Sequence, residues 1–160
     1  MKPIDLVKTL LTHPCTTLAL RLYIGGLFIY ASMYKINYTG EFAETIANYQ
    51  VVPYWGVNAL AIAMPWLELI SGLLLVAGIR TKAAAAIISG LLTLFTLLVV
   101  VTLARDIPIG CGCFHSLEDP MSWKTAVRDL CWLAMALHIY RYDQTFQLER
   151  KFLLSIKEMP

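Results

Sequence analysis

Four apolar runs, at about 15–35, 57–79, 83–104 and 123–142, dominate this 160-residue chain. Each has the roughly 20 residues that a helix needs to cross the ~30 Å hydrocarbon layer of a bilayer. Inside that layer backbone groups find no water, so a spanning segment that does not join a closed barrel must satisfy its own hydrogen bonds as a helix. The expected fold is therefore all-α: an integral membrane four-helix bundle forming one domain over 1–160. Composition agrees, with 58% hydrophobic and 15% charged residues, far from the usual soluble mix. A formal net charge of +2 without a basic stripe interleaved with aromatics excludes nucleic acid as the expected partner. The first run is longer than a signal-peptide core and lacks a small-residue cleavage site, so it reads as an uncleaved span.

Polar residues inside the spans are the next constraint. Arg21, Gly25, Phe28, Ser32 and Lys35 recur at helical spacing along the first run, which places two cations and two small residues on one stripe that should face protein. A charge at the bilayer centre costs about 2.5–3.5 kcal/mol unless it pairs or snorkels. Two readings stand: the cations anchor the helix ends, or they seek partners inside. Glu68 lies near the middle of the second run, close to Pro65. At that depth a carboxylate is ion-paired, with Arg21 or Arg128 as candidates, or protonated, and it serves structure, proton handling or ligand binding. Ser89, Thr93 and Thr96 form a small hydroxylated seam in the third run, suited to close helix packing. In the fourth, Lys124, Arg128, Cys131, Met135, His138 and Tyr142 alternate three and four apart, so that face is expected to be buried or functional.

Between the first two runs, Thr39 and Gly40 open and Pro53 closes a connector in which Phe42, Ile46 and Tyr49 share one face. A short interfacial helix is expected there, with Tyr54 and Trp55 at headgroup depth. The tail 143–160 carries Phe146, Leu148, Phe152, Leu153 and Ile156 among Arg150, Lys151 and Lys157, the pattern of an amphipathic helix on the membrane surface. Four spans put both termini and the 80–82 turn on one side. Lys2, Lys8, Arg80, Lys82, Arg141, Arg150, Lys151 and Lys157 fall there, against Lys35, Arg105 and Lys124 opposite. The positive-inside rule makes the termini cytoplasmic and sends the 105–122 loop outward, to a periplasm or cell exterior.

That loop carries Cys111-Gly112-Cys113 in a turn with Pro108, Gly110 and His115. A disulfide across one intervening residue closes a very small ring, so it is expected to be strained and oxidising, and Gly110 and Gly112 relieve the backbone sterics. The outward compartment permits disulfides. Dithiol–disulfide exchange by Cys111 and Cys113 is the expected chemistry. A static staple, in a non-catalytic accessory protein that holds or delivers a partner during maturation, is one alternative; capture of copper or zinc by Cys111, Cys113, His115 and Met121 is another, although no resident metal is expected. Cys15 starts on the cytoplasmic side and cannot reach the pair. Cys131, about two turns into the fourth span, is a packing residue, a resolving thiol or the wall of a quinone pocket.

Arg21 and Lys35, then Pro65-Trp66-Leu67-Glu68 with Gly72 and Gly78, then Cys111-Gly112-Cys113-Phe114 and Ser122-Trp123 resemble the MauE family within the wider DoxX-like membrane proteins. His115 stands where that family usually carries Gly. The resemblance implies a four-helix protein of the bacterial inner membrane, embedded in lipid and associated with redox processes outside the cytoplasm. It implies an extracytoplasmic thioredoxin-like or disulfide-rich protein partner and links the wider family to quinones. A quinone site would then involve Arg21, Lys35, Glu68, Arg128 and Cys131. A membrane-impermeant maleimide applied to intact, reduced cells should label Cys111 and Cys113 and spare Cys15; labelling only after permeabilisation would reverse the orientation.

Overall fold

The computed structural model describes residues 14–105 and 123–142, so the cysteine loop and the amphipathic tail lie outside the described residues. Five helices and no strand occur among them: α1 Pro14–Asn37, α2 Thr39–Asn48, α3 Tyr54–Ala77, α4 Thr81–Ala104 and α5 Trp123–Tyr142. The all-helical membrane fold expected from the apolar runs is therefore present, with boundaries set by local chemistry. Pro14 opens α1, where its missing N–H breaks no helical bond. At the other end of α1 the Thr39 hydroxyl donates to the carbonyls of Lys35 and Ile36, at 3.2 and 2.9 Å. This satisfies acceptors that a helix end leaves open and lets α2 begin after a single turn residue. Gly78, in the left-handed region at φ 76°, ends α3, and the Ile79 N–H returns to the Leu74 carbonyl at 3.0 Å, the usual αL closure. Arg80 at φ 46° completes a turn so short that α3 and α4 must run antiparallel.

The four long helices form a closed ring: α1 packs on α3, α3 on α4, α4 on α5 and α5 back on α1, with α2 lying mainly against α3. Ile24, Phe28, Leu75, Ala85, Ile88, Leu92, Ala136 and Ile139 meet at its centre. A second cluster, Phe42, Ile46, Val57 and Ala61, joins α2 to the first half of α3. The short helix expected after the first span is present, and Phe42 and Ile46, with Tyr49 just past its end, share a buried face that packs against protein, Phe42 and Ile46 on Val57 and Ala61, while Tyr54 and Trp55 stand open at 90% and 84% exposure. Leu22, Ile62, Leu67, Ile70, Leu73, Leu97 and Leu137 point outward, a band that would aggregate in water and is at home in lipid.

Cys15–Asn37, Tyr54–Ala77 and Thr81–Ala104 are long and apolar enough to cross a membrane. The 20-residue α5 closes the ring in the expected place, yet Lys124, Arg128, Asp129, His138 and Arg141 keep its composition from marking it as a span. Two expectations about faces need correction. Thr93 is exposed, and its hydroxyl donates to the Ser89 carbonyl of its own helix, so the packed seam on α4 is Ser89 and Thr96 without it. On α5 the buried stripe is Ala126, Asp129, Ala136 and Ile139; Lys124, Cys131 and Tyr142 are exposed and Arg128 and Met135 only partly buried. Small alanines let α5 approach α1 and α4, and of the expected stripe His138 is also partly buried, with both ring nitrogens enclosed and without a hydrogen bond among the described residues.

α1 and α3 touch through backbone. A Cβ added at Gly25 would stand 2.6 Å from Val76 Cγ2 and 3.1 Å from the Gly72 carbonyl oxygen, and one at Gly72 would stand 3.0 Å from the Gly25 carbonyl oxygen. Gly25→Ala and Gly72→Ala should each lower stability by about 1–3 kcal/mol through overpacking, measured by unfolding in mixed detergent. Gly90→Ala, with nothing within 4 Å of the new methyl, should leave stability unchanged or raise it by up to about 1 kcal/mol.

Candidate functional site

Opposite charges from two helices meet inside the bundle. Lys35 Nζ on α1 donates to both carboxylate oxygens of Glu68 on α3, at 2.7 and 2.9 Å, and the two side chains are only 3% and 2% exposed. The Phe42 and Phe95 rings lie 5.0 and 4.8 Å from the ammonium, so α2 and α4 present aromatic faces to it. Glu68 is thus ion-paired as expected, but to Lys35 and not to Arg21 or Arg128. The register explains why: α1 and α3 run antiparallel with Gly25 against Gly72, which brings the far end of α1 to the level of Glu68. Lys35 accordingly neither anchors a helix end nor counts among the cations on the loop side. Tyr34 OH donates to Glu41 Oε2 at 3.0 Å and holds α2 against this end of α1.

A third helix contributes a second carboxylate. Asp129 on α5 is buried, and its Oδ1 accepts from Arg128 Nε and Nη2 at 3.2 and 3.1 Å. The Arg128 guanidinium rests 4.6 Å from the centre of the Trp132 ring and is 38% exposed. Asp129 Oδ2 is buried and makes no hydrogen bond among the described residues. Lys35, Glu68 and Asp129 line one cavity of about 40 Å³, whose other walls are Leu27, Phe28, Ala31, Leu92, Phe95 and Trp132. It has room for a few waters or the edge of a small molecule. Phe95 lies nine residues before the end of α4 and Asp129 six after the start of α5, about 9–14 Å below the helix ends that the 106–122 connection joins.

Of the five residues expected to form a membrane site, Lys35 and Glu68 come together and Arg128 borders them through Asp129. Arg21 is buried but lies 14 residues before Lys35, about 21 Å along the helix. Cys131 points out of the bundle. Cys111 and Cys113 lie outside the described residues. The sequence reading missed Asp129, Phe95 and Trp132. Asp129 could have been found from the helical spacing of Ala126, Asp129, Ala136 and Ile139, the stripe of small and apolar residues; the cationic stripe beside it drew attention instead. Among the described residues no group of three or more His, Cys, Asp and Glu could hold a metal ion.

A closed ring of long helices, an outward apolar band and an ion pair hidden at its centre define a multi-pass membrane protein with an internal charged cavity. Residues 13–141 match the family model described as methylamine utilisation protein MauE, and the chain belongs to that family. Similar proteins include the methylamine utilization protein MauE of Paracoccus denitrificans, 31% identical over 131 residues, or 81% of this chain and 70% of that protein. The protein of the same name from Methylorubrum extorquens is 30% identical over 120 residues, 74% of this chain and 64% of the relative. That from Paracoccus versutus is 30% identical over 133 residues, 82% and 72%. The chain thus spans about two thirds of the length of these relatives. No solved structure matches it.

Removing one partner of the ion pair strands the other charge in a low-dielectric interior. Glu68→Gln and Lys35→Met should each cost about 3–5 kcal/mol, whereas the double variant Lys35→Met/Glu68→Leu should recover most of that loss. Unfolding midpoints of the three proteins in mixed micelles test it, and a double variant no better than the worse single one would contradict it.

Proposed function

We propose that this protein is a bacterial inner-membrane component of extracytoplasmic thiol–disulfide exchange that serves methylamine utilisation. The loop carrying Cys111 and Cys113 faces the periplasm and the termini face the cytoplasm. The partner is a thioredoxin-like or disulfide-rich protein. Its thiolate attacks the Cys111–Cys113 disulfide to form a mixed disulfide and release one cysteine of the pair. The partner's second thiol then displaces the link, leaving the partner oxidised and the pair as a dithiol. A quinone-class carrier in the membrane restores the disulfide by taking two electrons and two protons, and leaves as hydroquinone.

The observation that carries this reading is the place of the pair in the chain. Cys111-Gly112-Cys113 lies in the connection between α4 and α5, the two helices that deliver Phe95 and Asp129 to the charged cavity. The names of the relatives support the biological setting, and the excess of Lys and Arg on the side of the termini supports the orientation. A small strained ring between glycines favours a bond that is readily exchanged.

Single Cys111→Ser and Cys113→Ser variants, expressed in a host that makes methylamine-utilisation proteins, should trap the partner as a mixed disulfide through the remaining thiol. The band should collapse on reduction and disappear in the double variant. In the unaltered protein the pair should shift toward dithiol when the cell's oxidising machinery is removed. A pair that stays oxidised throughout, with nothing trapped by either single variant, is a structural staple and defeats the proposal.

A further inference from the structure

The hydrogen-bonding capacity left over in the cavity is specific. An ammonium has three N–H donors, and two from Lys35 go to Glu68. A carboxylate offers acceptors on both oxygens; Arg128 takes Oδ1 of Asp129, and Oδ2 is buried and open. Lys35 and Asp129, which carry these two leftovers, both line the same space of about 40 Å³. Among the described residues the fixed charges there come as two pairs, Lys35 with Glu68 and Arg128 with Asp129, so an additional ion would enter without a counter-charge from them, at the desolvation penalty a buried charge carries. The ligand that fits is neutral.

We infer that the cavity receives the hydroxyl-bearing edge of a lipid-soluble ring and binds the hydroquinone form of a carrier more tightly than its quinone form. A hydroxyl donates to Asp129 Oδ2 and accepts from Lys35 Nζ, whereas a carbonyl oxygen accepts only and leaves Oδ2 unsatisfied. An unmade hydrogen bond in a buried site is costly, more so for a charged group. The cavity is too small for a whole ring, but Leu27 and Trp132, two of its walls, are only partly buried, so the body of the ring rests between α1 and α5 with one edge inside. Tighter binding of the reduced form shifts the bound carrier toward reduction, which favours oxidation of the protein's dithiol. The inference rests on the carrier half of the function proposed above and is independent of the protein partner.

The test is anaerobic titration of the full chain in lipid nanodiscs with durohydroquinone and with duroquinone, followed by calorimetry. The hydroquinone should bind at least about tenfold more tightly, the weight of one hydrogen bond to a charged group. Asp129→Asn, nearly the same shape, should bring the two affinities within about threefold, a residue of neutral hydrogen bonding, with its unfolding midpoint as a control. Ala31→Leu, which fills the cavity from α1 and leaves every charged group in place, should abolish saturable binding of both. Equal affinities, or tighter quinone binding as from an Oδ2 that carries a proton, overturn the preference but leave a carrier site standing. If neither ring binds saturably, or Ala31→Leu binds like the unaltered protein, both the preference and the carrier site fall. Competition by n-octanol as effective as that by durohydroquinone assigns the cavity to any hydroxyl and overturns the assignment to a ring.

Discussion

An ammonium and a carboxylate removed from water together can remain together only if each satisfies the other almost completely, and the bundle is arranged around that requirement at Lys35 and Glu68. The desolvation of two such ions costs several kcal/mol each, repaid only by close geometry and further contacts. The geometry is close, with both carboxylate oxygens engaged. The further contacts come from two other helices, α2 through Phe42 and α4 through Phe95. Four of the five described helices therefore meet at this level through α1, α2, α3 and α4, and α5 joins them by way of Asp129. Loosening any one would admit lipid or leave a charge bare.

The pair also explains the shape of the first three helices. Gly25 against Gly72 and Lys35 against Glu68 fix an antiparallel register in which α1 ends about level with Pro65. The first part of α3 projects past α1, and α2 folds back to cover it, burying Phe42 and Ile46 on Val57 and Ala61. Pro65 sits where this cover changes from α1 to α2. Proline there leaves the Ala61 carbonyl without its helical donor, a defect bearable in a membrane helix only where protein surrounds it, and both Pro65 and Ala61 are buried.

Length, hydrophobicity and breakers were enough to read the helices, because a bilayer leaves an apolar run of that length few alternatives. The small helix after the first span was legible from Phe42, Ile46 and Tyr49, and the protein-facing stripe of α1 from its cations and small residues. The identity of the partner of Glu68 was not legible. It depends on how far α1 and α3 slide past each other, and two glycines spaced to let backbones touch do not reveal which of them touch until both helices are placed. The face of α5 was misread for a related reason. A stripe of Lys124, Arg128 and Cys131 signals function only if something inside answers it, and what answers is Asp129, the next residue after Arg128 and about 100° further round the helix.

α5 is the least apolar of the long helices, and one reason is that it brings a counter-charge with its carboxylate. Asp129 enters the bundle with Arg128 attached at its edge, and the guanidinium, lying over Trp132 and 38% exposed, keeps one side toward solvent or headgroups. A guanidinium suits that position better than an ammonium would, being planar, weakly hydrated and able to stack. The arrangement neutralises the charge of Asp129 without occupying both of its oxygens. An apolar residue at 129 would have packed more cheaply, and a carboxylate paired through both oxygens would have closed the interior completely. Among the described residues the bundle keeps one buried carboxylate oxygen open beside two balanced charge pairs, and that unmet acceptor is the observation from which the preference for a neutral hydrogen-bond donor is inferred.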